Sequence, residues 1–241
     1  MCGILYYQGH KTFSNKNIKN AIEKLNLRGP DNNIHLEIAK NKHMGFARLS
    51  INDVSSNGNQ PLIKDNKFYL ICNGEIYNHK KLRDENNFIT QSDSDCEIII
   101  HMYEKYGIEK TIKSLDGVFA FVLYDKNKNS IFVGRDPYGV RPLFMGKTED
   151  NELLLCSEIK PISSYCKKIK RFPIGSFGEF NDDTSNDLCD IVFQRYHDYD
   201  FKFNTDNEDE IKENIRQLFT QAVDKRLMSD RPIGCLLSGG L

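Results

Sequence analysis

The chain alternates short apolar runs with polar, turn-forming clusters. Runs at Gly3–Tyr7, Met44–Ile51, Phe68–Cys72, Gly117–Leu123, Ser130–Val133 and Leu153–Cys156 read as strands. Each is bounded by Asn, Asp, Gly or Lys, residues that favour turns. Val118–Tyr124 is apolar at every position, as expected of a strand covered on both faces. Asp125–Asn129 then reads as a hairpin loop into Ser130–Val133. Helical spacing is rarer. Ile18, Ala21, Ile22 and Leu25 make a narrow stripe. Ser94 with Glu97 reads as a capping box ahead of a helix whose inward face is Ile98, Ile99, Met102 and Tyr103. Strands dominate, which predicts a layered α+β domain with antiparallel sheets.

The pattern changes after Tyr199. Asp200–Glu210 is polar and acidic, and Ile211, Ile215, Leu218, Phe219, Ala222 and Val223 then form a strong helical stripe capped by Asn207 and Glu210. Ile233–Leu237 reads as a buried strand, followed by Ser238-Gly239-Gly240. Helix, strand and glycine turn is how an α/β domain begins. The predicted division is a first domain at 1–185, a linker at 186–206 and the opening of a second domain at 207–241. Without further strands and helices to cover it, the stripe from Ile211 to Val223 is expected to stay uncovered.

Composition narrows the function classes. Among 241 residues, 39% are hydrophobic, enough for a core, and the formal net charge is -1. That near-neutral balance gives no electrostatic case for nucleic acid or a membrane surface as partner. No apolar run is long enough to span a bilayer, and the N-terminus has no signal-peptide pattern. Seven cysteines without paired spacing predict reduced thiols and a cytoplasmic setting. No Cys-x-x-Cys occurs and the histidines are scattered, so no metal site is expected.

The candidate chemistry begins at Cys2, directly behind Met1. Removal of Met1 would give one residue both a thiol and a free α-amine, a nucleophile with its own base. By position alone, chance is the simpler reading. Four clusters add to it. Arg28-Gly29-Pro30-Asp31 would stop the first helix and shape a turn. Arg48 can clamp a carboxylate, or simply sit on a strand surface. Asn73 and Gly74 offer an amide and an approachable backbone N–H, the two donors a tetrahedral oxyanion needs, yet Asn-Gly is also a favoured hairpin turn. Asp95 suits the first turn of a helix whether or not a substrate is present.

Taken together these clusters resemble the class II glutamine amidotransferases, and within them the glutamine-hydrolysing asparagine synthetases. The resemblance runs from Cys2 to Leu241. It is carried by Met1-Cys2-Gly3-Ile4, Arg28–Asp31, Asn73–Asn78, Asp116–Phe121, Gly134–Phe144 and Lys225–Gly240. It implies an N-terminal-nucleophile fold, an αββα sandwich of two antiparallel sheets, followed by the start of an α/β ATP-pyrophosphatase-type domain. It implies that Cys2 attacks the side-chain amide of L-glutamine, with Asn73 and Gly74 as the oxyanion hole. Glutamine would also meet the stretch Arg48, Leu49, Ser50, Ile51 and Asn52, with Arg48 on the α-carboxylate. Glu75 and Asp95 would fix its polar groups, Asp95 the α-ammonium. Leu236, Ser238, Gly239 and Gly240 would be part of an ATP site. ATP, magnesium and L-aspartate would serve the synthetase reaction, and no cofactor the glutaminase step. A homodimer stays open. Two positions depart from the family pattern: Leu27 where histidine is usual, and Asp93 where glycine is common, which is expected to alter the loop's backbone. Two rival readings stand beside this one, another class II amidotransferase and a non-catalytic module that keeps the fold.

Overall fold

The computed structural model describes residues 1–9, 15–181, 188, 191–199, 207–237 and 239. Its centre is two antiparallel six-stranded sheets stacked face to face. In the first, β1 (Gly3–Gln8) lies between β3 (Lys42–Arg48) and β9 (Leu153–Cys156), with β2 (Asn32–Ala39) beyond β3 and β8 (Phe144–Lys147) and β10 (Lys168–Arg171) beyond β9. In the second, β5 (Phe68–Ile76), β6 (Gly117–Asp125) and β7 (Ser130–Arg135) are central. β4 (Leu62–Lys64) flanks β5, and β11 (Ser176–Phe180) and β12 (Gln194–Arg195) flank β7.

Each central strand is apolar on both faces because each face has a cover. Ile4, Tyr6 and Phe46 of the first sheet meet Tyr69, Ile71, Val122 and Val133 of the second in the inner layer. Leu5, Tyr7 and Leu154 point the other way, onto Ile18, Ala21, Ile22 and Leu25 of α1 (Asn15–Glu23) and its following turn. The outer face of the second sheet is covered by Ile98, Ile99, Met102 and Ile112 of α3 (Ile98–Ser114) and by Leu82 of α2 (His79–Asn86). The result is the four-layer αββα arrangement expected from the sequence. Among the described residues, no helix is long and apolar enough to cross a membrane.

Several local expectations are corrected. Ser94 precedes a short 3-10 turn, Asp95–Glu97, but its side chain makes no cap bond. Glu97 instead accepts from the Gln91 and Ser92 amides and the Ser92 hydroxyl, tying down the loop before the helix. Asn73-Gly74 is not a turn: β5 continues through both to Ile76, paired with Gly117–Ala120 of β6. Ile233–Leu237 forms no strand and is exposed throughout. The buried-strand reading fails there because no neighbouring strand exists among the described residues to pair with it. The helix before it does form, as α4 (Glu208–Lys225), with the Asn207 side chain accepting from the Asp209 and Glu210 amides. Its stripe stays uncovered, with Phe219 71% and Leu218 66% exposed.

The segment from Gly134 to Phe144 shows how a motif builds a wall. Arg135 donates to the carbonyls of Gly139, Arg141 and Phe172. Asp136 is fully buried, and its carboxylate accepts the amides of Phe119, Tyr138, Val140 and Arg141. Adjacent residues of opposite charge thus gather the loop's carbonyls and its amides, and Arg141 is held in place as a consequence. Asp136→Ala leaves four amides without their acceptor, so a loss of about 3 kcal/mol is expected. Thermal unfolding checks this, with the midpoint falling roughly 6–12 °C for a chain of this size.

Candidate active site

Cys2 stands at the start of β1, where the first sheet faces the end of β5 in the second. The turn after α1 fixes it. A Cβ at Gly29 would lie 2.1 Å from the Ala47 carbonyl oxygen, so only glycine lets this turn lie flat on β3. The turn then aims Arg28, whose Nε donates to the Cys2 carbonyl at 2.9 Å and whose Nη1 pairs with Glu158 at 3.1 Å. Asp31 accepts the Ser50 amide at 2.7 Å. The Cys2 thiol sits 3.4 Å from the Leu49 amide, which donates to it, and 3.5 Å from the Leu49 carbonyl.

One cavity gathers most of the candidate residues. Its lining includes Cys2, Arg48, Leu49, Ile51, Asn52, Asn73, Gly74, Glu75 and Asp95. Ser50 is absent from it. Leu27 is 94% exposed. Asp93 borders a neighbouring crevice, and it is not among the residues with positive φ, so the side chain imposes no left-handed strain. A roomier cavity opens near Gln8, Lys40 and Asn151 at the other end of β1, but among the described residues its lining holds no cysteine, serine or threonine.

The polar groups around the thiol have distinct states. Asn73 is 1% exposed, and its Nδ2 is buried without a hydrogen-bond partner. A buried amide left in that state is costly, and such exceptions concentrate where a ligand completes the bonding. Gly74 follows it in the strand, where a Cβ would lie 2.6 Å from the Val118 carbonyl oxygen and 2.7 Å from Phe119 Cβ. Arg48 is buried and donates to Ser55 O at 2.6 Å, to Asn59 Oδ1 at 2.7 Å and to Asp53 O. Those bonds use three of the five donors a guanidinium carries, so Arg48 braces the loop behind the cavity and keeps donors to spare. Asp95 accepts from the Ile76 amide at 2.6 Å and from Asn52 Nδ2 at 3.2 Å. Glu75 pairs with Arg141 at 3.5 Å, and Arg141 Nε is itself buried and unpartnered.

Burial raises the Cys2 thiol above its ordinary pKa, while the Leu49 amide bond works the other way. Burial lowers the N-terminal amine, which belongs to Met1 here, and the charges of Arg141 and Arg28 lower it further. Burial raises Asp95, against the Ile76 and Asn52 hydrogen bonds. The Cys96 thiol is pushed up first by its hydrogen bond with Cys72, then by burial.

Sequence reasoning gave no role to Phe46, Gly58, Gln60, Cys72, Cys96 or Arg141 and read Ser94 only as a helix cap, yet all of them line the cavity. Gln60 accepts the Cys72 amide at 2.6 Å and so joins the loop to β5. Arg141 carried a signal as part of the Gly134–Phe144 motif, and Ser94 stood beside the candidate Asp95.

Residues 1–186 match the family model described as a glutamine amidotransferase domain, and residues 214–241 match the one described as asparagine synthase. The chain therefore belongs to the glutamine amidotransferase domain family. It is 40% identical to human asparagine synthetase [glutamine-hydrolyzing] over 100% of this chain and 46% of that protein. It is 36% identical to a probable asparagine synthetase [glutamine-hydrolyzing] of Acanthamoeba polyphaga mimivirus, over 100% of this chain and 48% of that one. The chain thus spans about half the length of these curated relatives. In fold it is similar to a glutamine phosphoribosylpyrophosphate amidotransferase from B. subtilis, with a TM-score of 0.66, 20% identity, and 81% of this chain and 49% of that chain covered.

Gly74→Ala is expected to destabilise the protein by about 2 kcal/mol, because the atoms it would strike belong to the paired strand. Chemical denaturation checks this: the midpoint should fall while the slope stays constant.

Proposed function

We propose that the chain is the glutaminase part of a glutamine-dependent asparagine synthetase. The observation that carries the reading is the buried, unpartnered Asn73 Nδ2 in the cavity lined by Cys2. An idle donor beside a nucleophile suits a charge that exists only during reaction.

In this reading Met1 is removed, and the α-amine of Cys2 acts as the base. Sγ attacks the side-chain amide carbon of glutamine as its proton passes to that amine. The oxyanion is held by Asn73 Nδ2 and the Gly74 N–H. Collapse breaks the C–N bond, ammonia leaves with the proton from the amine, and a thioester remains. Water then attacks, with the amine again moving the proton, and glutamate is released. The raised thiol suits this sequence, since the proton moves only as the new bond forms. Arg48 presents its remaining donors to the substrate α-carboxylate, Asp95 faces the α-ammonium, Glu75 helps fix the substrate's polar groups, and Leu49, Ile51 and Asn52 shape the wall. Ser50 acts through its backbone, whose amide holds Asp31.

In the longer protein, ammonia would amidate L-aspartate at the expense of ATP, with magnesium accompanying the nucleotide. A nucleotide site is not assembled among the described residues. Leu236 is fully exposed, Gly239 has a φ of +72° with nothing within 4 Å of where a Cβ would stand, and Ser238 and Gly240 lie outside the described residues. We keep a glutaminase domain that starts at 1 and a synthetase-like opening at 207–241. Of the stretch 186–206 read as a linker, Gln194–Arg195 pairs as β12 in the second sheet and Leu188 and Ile191 are buried in the inner layer, which assigns them to the first domain. The cytoplasmic setting is supported by six described cysteines, all unpaired.

Cys2→Ala should abolish glutamate release, and Asn73→Ala should slow it roughly a hundred-fold or more, as for loss of one oxyanion donor. Glutaminase assays check both. Wild-type turnover in Cys2→Ala would remove the proposal.

A further inference from the structure

The wall of the cavity beside Cys2 contains Ile51 and Asn52, and the next residue, Asp53, is unusual. It is 6% exposed and has a φ of +49°, a left-handed conformation that costs energy for a residue with a Cβ. Every polar group of Asp53 is used. Its carbonyl receives Arg48, and its carboxylate receives the Ser55 amide and hydroxyl and the Asp93 amide. Its own amide donates to Asp230 Oδ2 at 2.7 Å.

Asp230 comes from far along the chain, within the residues that match the asparagine synthase model. Its amide also donates to the Ile51 carbonyl at 3.0 Å, and Arg231 Nε donates to the Ser50 carbonyl at 3.3 Å. Two consecutive residues thus grip the backbone at positions 50, 51 and 53. The helix end nearby is tethered more loosely. Lys225 pairs with Asp116 at 2.6 Å on the surface, and the Arg226 guanidinium lies 4.9 Å from the Tyr77 ring centre. The exposed Lys225 pair contributes little. The Asp230 bond differs because it satisfies an amide of a buried, strained residue that has no other acceptor.

We propose that Asp230 is a positioning residue of the glutamine cavity: its carboxylate fastens the Asp53 amide and so holds Ile51 and Asn52 in the wall beside Cys2. The cavity wall is then completed from the synthetase-like part of the chain. A shift of that part would be felt at glutamine binding before any step of chemistry. The proposal rests on the glutaminase reading for its kinetic consequence, though not for the contact itself.

The test compares Asp230→Ala, Asp230→Asn and Lys225→Ala in the full chain by two measurements. Amide hydrogen exchange at Asp53 reads the contact, and glutaminase kinetics read its consequence. Asp230→Ala should speed exchange at Asp53 and raise KM for glutamine, each about ten-fold, with kcat within about two-fold. Asp230→Asn keeps an acceptor oxygen and should restore most of both. Lys225→Ala should leave both at wild-type values. Unchanged exchange at Asp53 in Asp230→Ala overturns the proposal. So does an unchanged KM beside an active wild type, or an equal KM rise in Lys225→Ala, which would mean general loosening of the tail. A wild type without Cys2-dependent glutaminase removes the functional reading instead, and exchange at Asp53 then decides the contact alone.

Discussion

The face-to-face packing of the two sheets is the constraint on which the rest depends. Cys2 stands directly before a strand of one sheet, and Asn73 and Gly74 lie near the end of a strand of the other. Nothing local in sequence joins them. They meet because Ile4, Tyr6 and Phe46 pack on Tyr69, Ile71 and Val122, and stacked sheets sit about 10 Å apart. At that spacing, side chains from the two strands reach one cavity. The outer helices matter for the same reason: they cover the far face of each sheet, so both strands that carry the chemistry are fixed from two sides.

Around that cavity the backbone is held by charged side chains more than by apolar contact. Arg28 holds the Cys2 carbonyl, Arg48 holds three acceptors of the loop behind the cavity, and Arg135 with Asp136 holds the segment that carries Arg141. Charge-assisted bonds suit loops that must keep one shape without a core beneath them. Against this background the idle Asn73 amide stands out. It shares that state with Arg141 Nε and Arg28 Nη2, but those guanidinium groups make other bonds, to Glu75 and to the Cys2 carbonyl, whereas the Asn73 Nδ2 is a neutral donor left idle in the cavity. The buried thiols Cys72 and Cys96 line the same cavity and add an apolar, polarisable side to it.

The central strands were legible from the sequence because double burial leaves a simple signature. Val118–Tyr124 and Leu153–Cys156 are apolar without a break, and both are strands. Edge strands were harder. β2 alternates Ile34, Leu36 and Ile38 with polar residues, a period-two pattern passed over between two turn-rich stretches. β10 reads Lys-Ile-Lys-Arg and β11 is interrupted by Gly178, so neither carries enough apolar length to stand out. Asn73-Gly74 showed the limit of local propensity: its turn preference is real, but pairing with β6 decides. Ile233–Leu237 showed the converse, a strand pattern with no strand to pair with. In the cavity, the residues with a motif around them were found, whereas Phe46, Gly58 and Gln60 arrive by tertiary packing alone. Arg48 was singled out for a substrate, and its bracing of residues 53–59 could be seen only in three dimensions.

The central claim is that Cys2, freed of Met1, forms a covalent bond to the acyl group of glutamine while the Asn73 amide holds the oxyanion. Rapid acid quench of the chain with glutamine, followed by intact-mass and peptide mass spectrometry, tests it most directly. The account predicts a chain lacking Met1 that carries a glutamyl thioester on Cys2, with the adduct accumulating far more slowly in Asn73→Ala. Glutamate released by a chain that retains Met1, or a glutamyl adduct on Cys72 or Cys96 and none on Cys2, would contradict it.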